Sequence, residues 1–394
     1  AQLPLPDGTT AKSTLAAVVI AYVVSLLAAG DLRLAVVVPT ALDVATEVEL
    51  VVLSSLSSLV QAALTPEGVG LRMMLEQTIV HEAGMASALE LGVGARARRL
   101  GAAIVLGTMV YTPVLQNALV GASRFCKIGK VNYKALELLA AIQASLSELA
   151  IRTEGASEGE LESVAMAACG GLRLATALAS DAGTPIAPSS GSLLLGVASA
   201  ALKLLPAAVL DGANGMKLAS QAPLTRGQVD VLGAVMALVS SMLRSREKAT
   251  VSLMGGVVGV VRTVVRGVFT AAHANGDRAT VMLGVVHQFA RMCSDLGRLN
   301  EAIKPFLALI VPLYVDLVAM APLPPFAVAD VEYGIFELFN CAGEDERTAM
   351  FAALGGKMTR GARGKTGDDL ASSTKDTFRA LLKKFRVWYK QTGQ

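Results

Sequence analysis

TRGQVDVLGAVMALVSSMLR, residues 225–244, decides the fold class of this chain. Thr225 and Gln228 have the spacing of a capping box, in which a hydroxyl takes a free amide of the first helical turn and an amide side chain reaches back. Behind them Val229, Leu232, Val235, Met236, Val239 and Leu243 recur every three or four residues. That is the repeat of one helix face, not of a strand. The same pattern returns near the end of the chain. Ser373 and Asp376 read as the cap of a helix with Phe378, Leu381, Leu382, Phe385 and Trp388 on one face and Arg379, Lys383, Arg386 and Lys390 on the other. No stretch alternates convincingly with period two. Val36–Val38 and Val51–Leu53 are candidates for short strands, but their Ala-rich surroundings favour helix. The expected fold is all-α.

Breaks between helical stretches fall at Thr65–Gly70, Gly155–Gly159, Asp181–Ser192 (DAGTPIAPSSGS), Asp211–Arg226 and Pro322–Pro325. Polar Gly/Pro/Ser segments are where few contacts cross, so Asp181–Ser192 and Asp211–Arg226 mark the expected lobe boundary. The expected organisation is an N-terminal arm over 1–13, a helical lobe over 14–210, a second over 226–355, and a basic C-terminal arm and helix over 356–394. Pro4 and Pro6 favour an extended start, and Gly355–Gly367 is a Gly/Arg/Lys segment. No repeat of fixed period is present, which weighs against a regular solenoid.

The 394 residues are 53% hydrophobic but only 4% aromatic, so the excess is Ala, Val and Leu, which suit closely packed helices or subunit contacts. A mean hydropathy of +0.54 raises the question of a membrane. Thr14–Gly30, Gly101–Ser123 and Pro305–Ala329 are long and poor in charge. The first barely reaches the ~20 apolar residues a span needs. The second contains Pro113, Gln116 and Asn117; the third contains Asp316 and three prolines at 322, 324 and 325. One Trp and six Tyr are a thin supply for interfacial belts, and a membrane partner is not expected. Ala1-Gln-Leu-Pro-Leu-Pro-Asp7 lacks the charged start of a signal peptide, and the leading Ala fits loss of an initiator Met, pointing to a cytosolic start. Cys126, Cys169, Cys293 and Cys341 are scattered without metal spacing and read as free, mostly buried thiols.

The catalytic motifs dissolve one by one. Gly155-Ala-Ser157-Glu-Gly159 has the pattern of a nucleophile elbow, which requires a strand before the Ser. Ser157 with Glu160 instead makes a capping box in acidic surroundings. Gly364-Lys365-Thr366 ends like a phosphate-binding loop, but the first glycine position holds Thr359. Gly92-Val-Gly94-Ala-Arg-Ala97 is a degenerate dinucleotide pattern between helices. His81-Glu82 opens like a zinc motif, but Met85 stands at its fifth position and His273 and His287 lie far away. No catalytic residue, metal site or cofactor is expected, and the chain is read as not an enzyme.

Charge is what remains. Residues 91–136 carry Arg96, Arg98, Arg99, Arg124, Lys127, Lys130 and Lys134 without a single acid. A second basic run from Lys357 to Lys390 has ten Lys or Arg against Asp368, Asp369 and Asp376. Concentrated charge of one sign points to a polyanion partner. Tyr111, Phe125 and Tyr133 lie among the first cations, as stacking partners for bases would. Arg244 and Lys248, like Arg262 and Arg266, are four apart and are expected to share helix faces.

In chain size, helical character, a basic cluster in each half, a mid-chain linker and arms at both ends, the chain resembles the nucleoproteins of negative-strand RNA viruses. The resemblance is architectural, without an aligned motif. It implies two helical lobes clamping single-stranded RNA in a basic groove, a homo-oligomer built through the terminal arms, and a place in the virion nucleocapsid and host cytoplasm. A viral polymerase or phosphoprotein is the further partner it implies. Arg96, Arg98, Arg99, Arg124, Lys127, Lys130 and Lys134 would bind RNA from one lobe, and Arg244, Lys248, Arg262 and Arg266 from the other. As surface cations, Arg96, Arg98 and Arg99 should tolerate reversal to Glu without loss of the fold. The alternative function is an α-helical scaffold, or a membrane-associated protein binding partners or lipid through apolar helices.

Overall fold

The computed structural model describes residues 69–88, 92–111, 133–180, 188–206, 224–274, 279–354 and 365–392. The fold is all-α, and among the described residues there is no strand. They divide between Leu204 and Leu205 into two compact units. Arms at 1–13, the short-strand candidates and the cations Arg124, Lys127 and Lys130 lie outside the described residues.

The first unit contains α1 (Val69–Ala88), α2 (Val93–Tyr111), α3 (Tyr133–Arg152), α4 (Glu158–Ser180) and α5 (Pro188–Leu202). Helix α1 packs on α2 and α3, α2 on α4, and α3 on α5. Ser157 starts α4 as its cap: the Ser157 N–H donates to Glu160 Oε2 at 3.0 Å and the Glu160 N–H to Ser157 Oγ at 3.4 Å. The turn before it is closed by Gly155, whose φ of 81° suits a residue without Cβ. The nucleophile pattern is therefore a turn followed by a cap.

The second unit contains α6 (Arg226–Ser245), α7 (Glu247–Ser252), α8 (Met254–Ala274), α9 (Ala279–Gly297), α10 (Asn300–Ile303), a 3-10 turn (Lys304–Phe306), α11 (Leu307–Met320), α12 (Pro325–Asn340), α13 (Glu344–Ala353) and α14 (Lys365–Thr392). At the start of α6, Thr225 Oγ1 accepts from the Gln228 N–H at 3.2 Å, and Gln228 Oε1 accepts from the Thr225 N–H at 3.0 Å. All six residues of the stripe from Val229 to Leu243 are buried. Helix α6 packs on α9, α9 on α12, α8 on α11, and α11 on α13 and α14. The crossing of α9 and α12 is close because Gly334 has no side chain there. A Cβ at that position would stand 3.0 Å from Ala290 Cα and 3.1 Å from Cys293 Cβ.

Two local expectations need correction. Helix α14 begins at Lys365, so Ser373 lies inside it and is not its cap; Ser373 offers its carbonyl to the Thr377 hydroxyl at 2.9 Å. Asp368 and Asp369 sit near the N-terminus of that longer helix, where negative charge favours helix. Arg244 and Lys248 do not share a continuous helix face. The chain leaves α6 at Arg246, with φ −133° and ψ 38°, and restarts as α7. The buried Thr250 hydroxyl holds that break, at 3.0 Å from the Met242 carbonyl and 2.9 Å from the Arg246 carbonyl.

Candidate polyanion-binding surfaces

The first basic cluster loses much of its free charge once it is folded. Arg96 is 3% exposed, within the core of the first unit. Its expected reversal to Glu therefore cannot spare the fold, because an uncompensated buried charge is costly. Arg99 donates through Nε to Glu82 of α1, and that hydrogen bond raises the guanidinium further above its ordinary range. Arg98 is half-buried near Glu160. The Glu160 carboxyl is held below the ordinary range, chiefly by the Ser157 backbone and side-chain hydrogen bonds, then by the Gly94 N–H, with a smaller share from Arg98. The acids missing from residues 91–136 are thus supplied by α1 and α4. Tyr111 is buried too, and burial pushes its phenol well above the ordinary range, so it is a core residue and not a stacking platform. Lys134 lies in the first turn of α3.

The set from the second unit divides likewise. Arg244 donates through Nε to Asp295 Oδ1 at 2.8 Å, joining α6 to α9. Asp295 is nearly buried, so this ion pair is a packing contact between helices. Arg262 and Arg266 are half-buried on α8, and the Arg262 Nε is withdrawn from solvent. Lys248, on α7, is exposed.

Helix α14 is different. Its apolar face docks on its own unit: Phe378, Leu381 and Phe385 are buried, and Trp388 packs on Phe336 at 5.7 Å between ring centroids. Full burial of such side chains contributes about 1.5–3 kcal/mol each. Among the described residues, eight aromatic side chains join one network of ring contacts here: Tyr333, Phe336, Phe339, Phe351, Phe378, Phe385, Trp388 and Tyr389. The opposite face presents Arg379, Lys383, Arg386 and Lys390, all exposed. Arg379 pairs with Asp376 at 2.7 Å, and Lys384 on the flank reaches Glu332 at 2.5 Å. Among the described residues no carboxylate pairs with Lys383, Arg386 or Lys390. The amphipathic spacing makes this stripe legible in sequence, whereas the run of cations without acids points to the start of α2 instead.

Among the described residues, two of the open clefts lie in the second unit. One, of about 320 Å³, lies between α13 and α14. The other, of about 450 Å³, lies among α6, α9 and α12, with Arg244, His287, Arg291, Asp295, Asp330 and Tyr333 in its wall. Among the described residues no three His, Cys, Asp or Glu side chains gather as metal ligands. Glu82 of the zinc-like motif is engaged by Arg99, and both ring nitrogens of His273 lie against the Phe269 and Pro322 carbonyls at 2.8 and 2.9 Å. Cys169, Cys293 and Cys341 are buried and are not joined in disulfides. Burial pushes the Cys341 thiol up to about 11, and the Cys293 thiol further still. Comparison with protein-family models, curated proteins and solved structures finds no match for the chain.

Proposed function

We propose that this chain is a non-catalytic α-helical scaffold that binds RNA through phosphate contacts along the outward face of α14. One observation carries the reading: the exposed stripe Arg379, Lys383, Arg386 and Lys390, three of whose cations have no carboxylate pairing among the described residues. The stripe extends over eleven residue steps, about 16 Å at ~1.5 Å per residue. A row of cations of that length follows a phosphate backbone and gives affinity without reading sequence. The aromatic network fixes the helix beneath it, so binding need not order the stripe first.

The nucleocapsid form of this proposal adds assembly of copies along the RNA, in a virion and the host cytoplasm. The apolar face of α14 already has a partner within its own unit, so assembly would have to use other surfaces. The test is fluorescence anisotropy with a labelled single-stranded RNA oligonucleotide. Affinity should fall steeply between about 50 and about 200 mM salt, and the Lys383→Glu/Lys390→Glu variant should flatten the dependence by about 1.4 in log–log slope, ~0.7 for each lost phosphate contact. Binding indifferent to salt, or unchanged in that variant, refutes the reading.

One observation favours the second reading, association with lipid. Among the described residues, four helical stretches could by length and composition cross a membrane: Glu158–Ser180, Arg226–Ser245, Met254–Ala274 and Asn300–Met320. The first three have 67% of their most apolar window buried against the protein, but Asn300–Met320 only 44%. Flotation with anionic and neutral lipid vesicles tests it: salt-resistant flotation with both would support the lipid reading over RNA.

A further inference from the structure

The cleft between α13 and α14 combines two kinds of surface. Its floor is Phe351, Phe378, Leu382 and Phe385, and its rim includes Arg347 and Arg386. Phe378 and Phe385 are almost fully buried and make the floor rigid, whereas Phe351 is 36% exposed and Leu382 is half-buried, leaving apolar surface open. Two cations, Arg347 in the wall and Lys375 beside Phe351, lie over aromatic rings. The Arg347 guanidinium lies 5.6 Å from the Phe339 ring centroid and 5.8 Å from that of Phe385, and Lys375 Nζ lies 5.8 Å from that of Phe351. Glu344 is the single acid in the wall, and among the described residues no carboxylate pairs with Arg347, Lys375 or Arg386. The rim is net positive over an apolar floor.

We infer that this cleft docks an acidic, amphipathic helical segment of a protein partner, an interaction separate from the RNA stripe. One or two large apolar side chains of the segment fill the cleft, and its carboxylates meet Arg347, Lys375 and Arg386. Charge complementarity selects an acidic occupant. The floor favours a protein over RNA: helix-in-groove docking needs such an apolar floor, whereas of its three rings Phe378 and Phe385 are 1% and 5% exposed and only Phe351 is open enough to stack a base. Aromatic and Arg side chains packed at one place are also the residues that dominate protein interfaces. Arg386 borders both surfaces; Arg347 and Phe351 belong to the cleft alone, and Lys390 to the stripe alone.

The probe is a labelled four-turn peptide, about 14 residues, with Phe and Leu on one helical face and Glu on the other. A copy with Lys for every Glu and a polyglutamate of equal length are its controls. The acidic amphipathic peptide should bind the full chain saturably, and the two controls should not. Arg347→Glu and Phe351→Ala should each weaken binding about ten-fold, in the range of interface anchors. Arg347 is exposed, so its variant keeps the fold and the test decisive even if Phe351→Ala lowers the melting temperature. Equal binding of either control, or no loss in Arg347→Glu, overturns the proposal. Full displacement of the peptide by the RNA oligonucleotide, with equal loss in Lys390→Glu, assigns the cleft to nucleic acid and overturns it. Self-association of the chain that Arg347→Glu abolishes assigns it to a second copy and also overturns it. None of these outcomes alters the salt-dependent RNA binding expected of the stripe, so the two readings fail separately.

Discussion

The start of α2 and the outer face of α14 are both rich in Arg and Lys, and folding treats them oppositely. Around Arg96, Arg98 and Arg99 the neighbouring sequence has no acid, yet the folded unit brings Glu82 and Glu160 to these cations and buries Arg96. On α14 the sequence holds acids nearby, yet Lys383, Arg386 and Lys390 face outward with no carboxylate pairing among the described residues. Proximity of charge along a chain is a poor guide to its neutralisation in space. Helix phase is the better guide, because it fixes which side chains share the solvent face.

Four experiments put that contrast under strain, and their expected effects fall in order. Arg96→Glu should destabilise the first unit most, by about 4 kcal/mol, since it places a new carboxylate in the core and removes a buried cation. Lys383→Glu, on the outer face of α14, should change stability by less than about 0.5 kcal/mol. Chemical denaturation of both variants, followed by circular dichroism, makes the comparison. Phe378→Ala should come next, at about 3 kcal/mol, because its ring is 1% exposed and packs on Phe339 and Phe351. If that variant melts like the native chain, α14 is not seated on its own unit.

A smaller effect comes from the pair that neutralises α2. A double-mutant cycle with Arg99→Gln and Glu82→Gln should give a coupling of about 1 kcal/mol, modest because Arg99 remains partly in solvent. Zero coupling would mean the pair is incidental. Smallest is the response of Glu160 to acid. Its carboxyl titrates below the ordinary range in the folded chain, so its contribution is present above about pH 5 and fades as the pH falls below the unfolded value near ~4.3. In Glu160→Gln the loss of stability on acidification should therefore be slightly shallower. A steeper acid limb would reverse the assigned sign.

Much of the fold was legible because its signals are local. The Thr225–Gln228 and Ser157–Glu160 caps need only three-residue spacing, and both apolar stripes repeat within single helices. The break at Arg246 was not legible, since it depends on Thr250 reaching carbonyls of the preceding helix. The start of α14 at Lys365 is not legible, because the internal Ser373-x-x-Asp376 has the spacing of a cap. The site was less legible than the fold. Glu82 lies 17 residues from Arg99, and Asp295 lies 51 from Arg244. Such partners meet only after helices pack, so a count of charges within one window could not find them. The aromatic cluster was half visible: the stripe on α14 was plain, but Phe336, Phe339 and Phe351 come from helices whose approach the sequence does not encode locally.

The most direct measurement compares RNA affinity across three chains at one moderate salt concentration: native, Arg98→Gln, and Lys383→Glu/Lys390→Glu. All three should remain folded, since Arg98 is half-buried near one carboxylate and the two lysines are exposed. The expected result is near-native affinity for Arg98→Gln and a loss of ten-fold or more, about 1.4 kcal/mol, for the lysine variant. The opposite pattern, with affinity lost in Arg98→Gln and kept in the lysine variant, would contradict the assignment of RNA to α14.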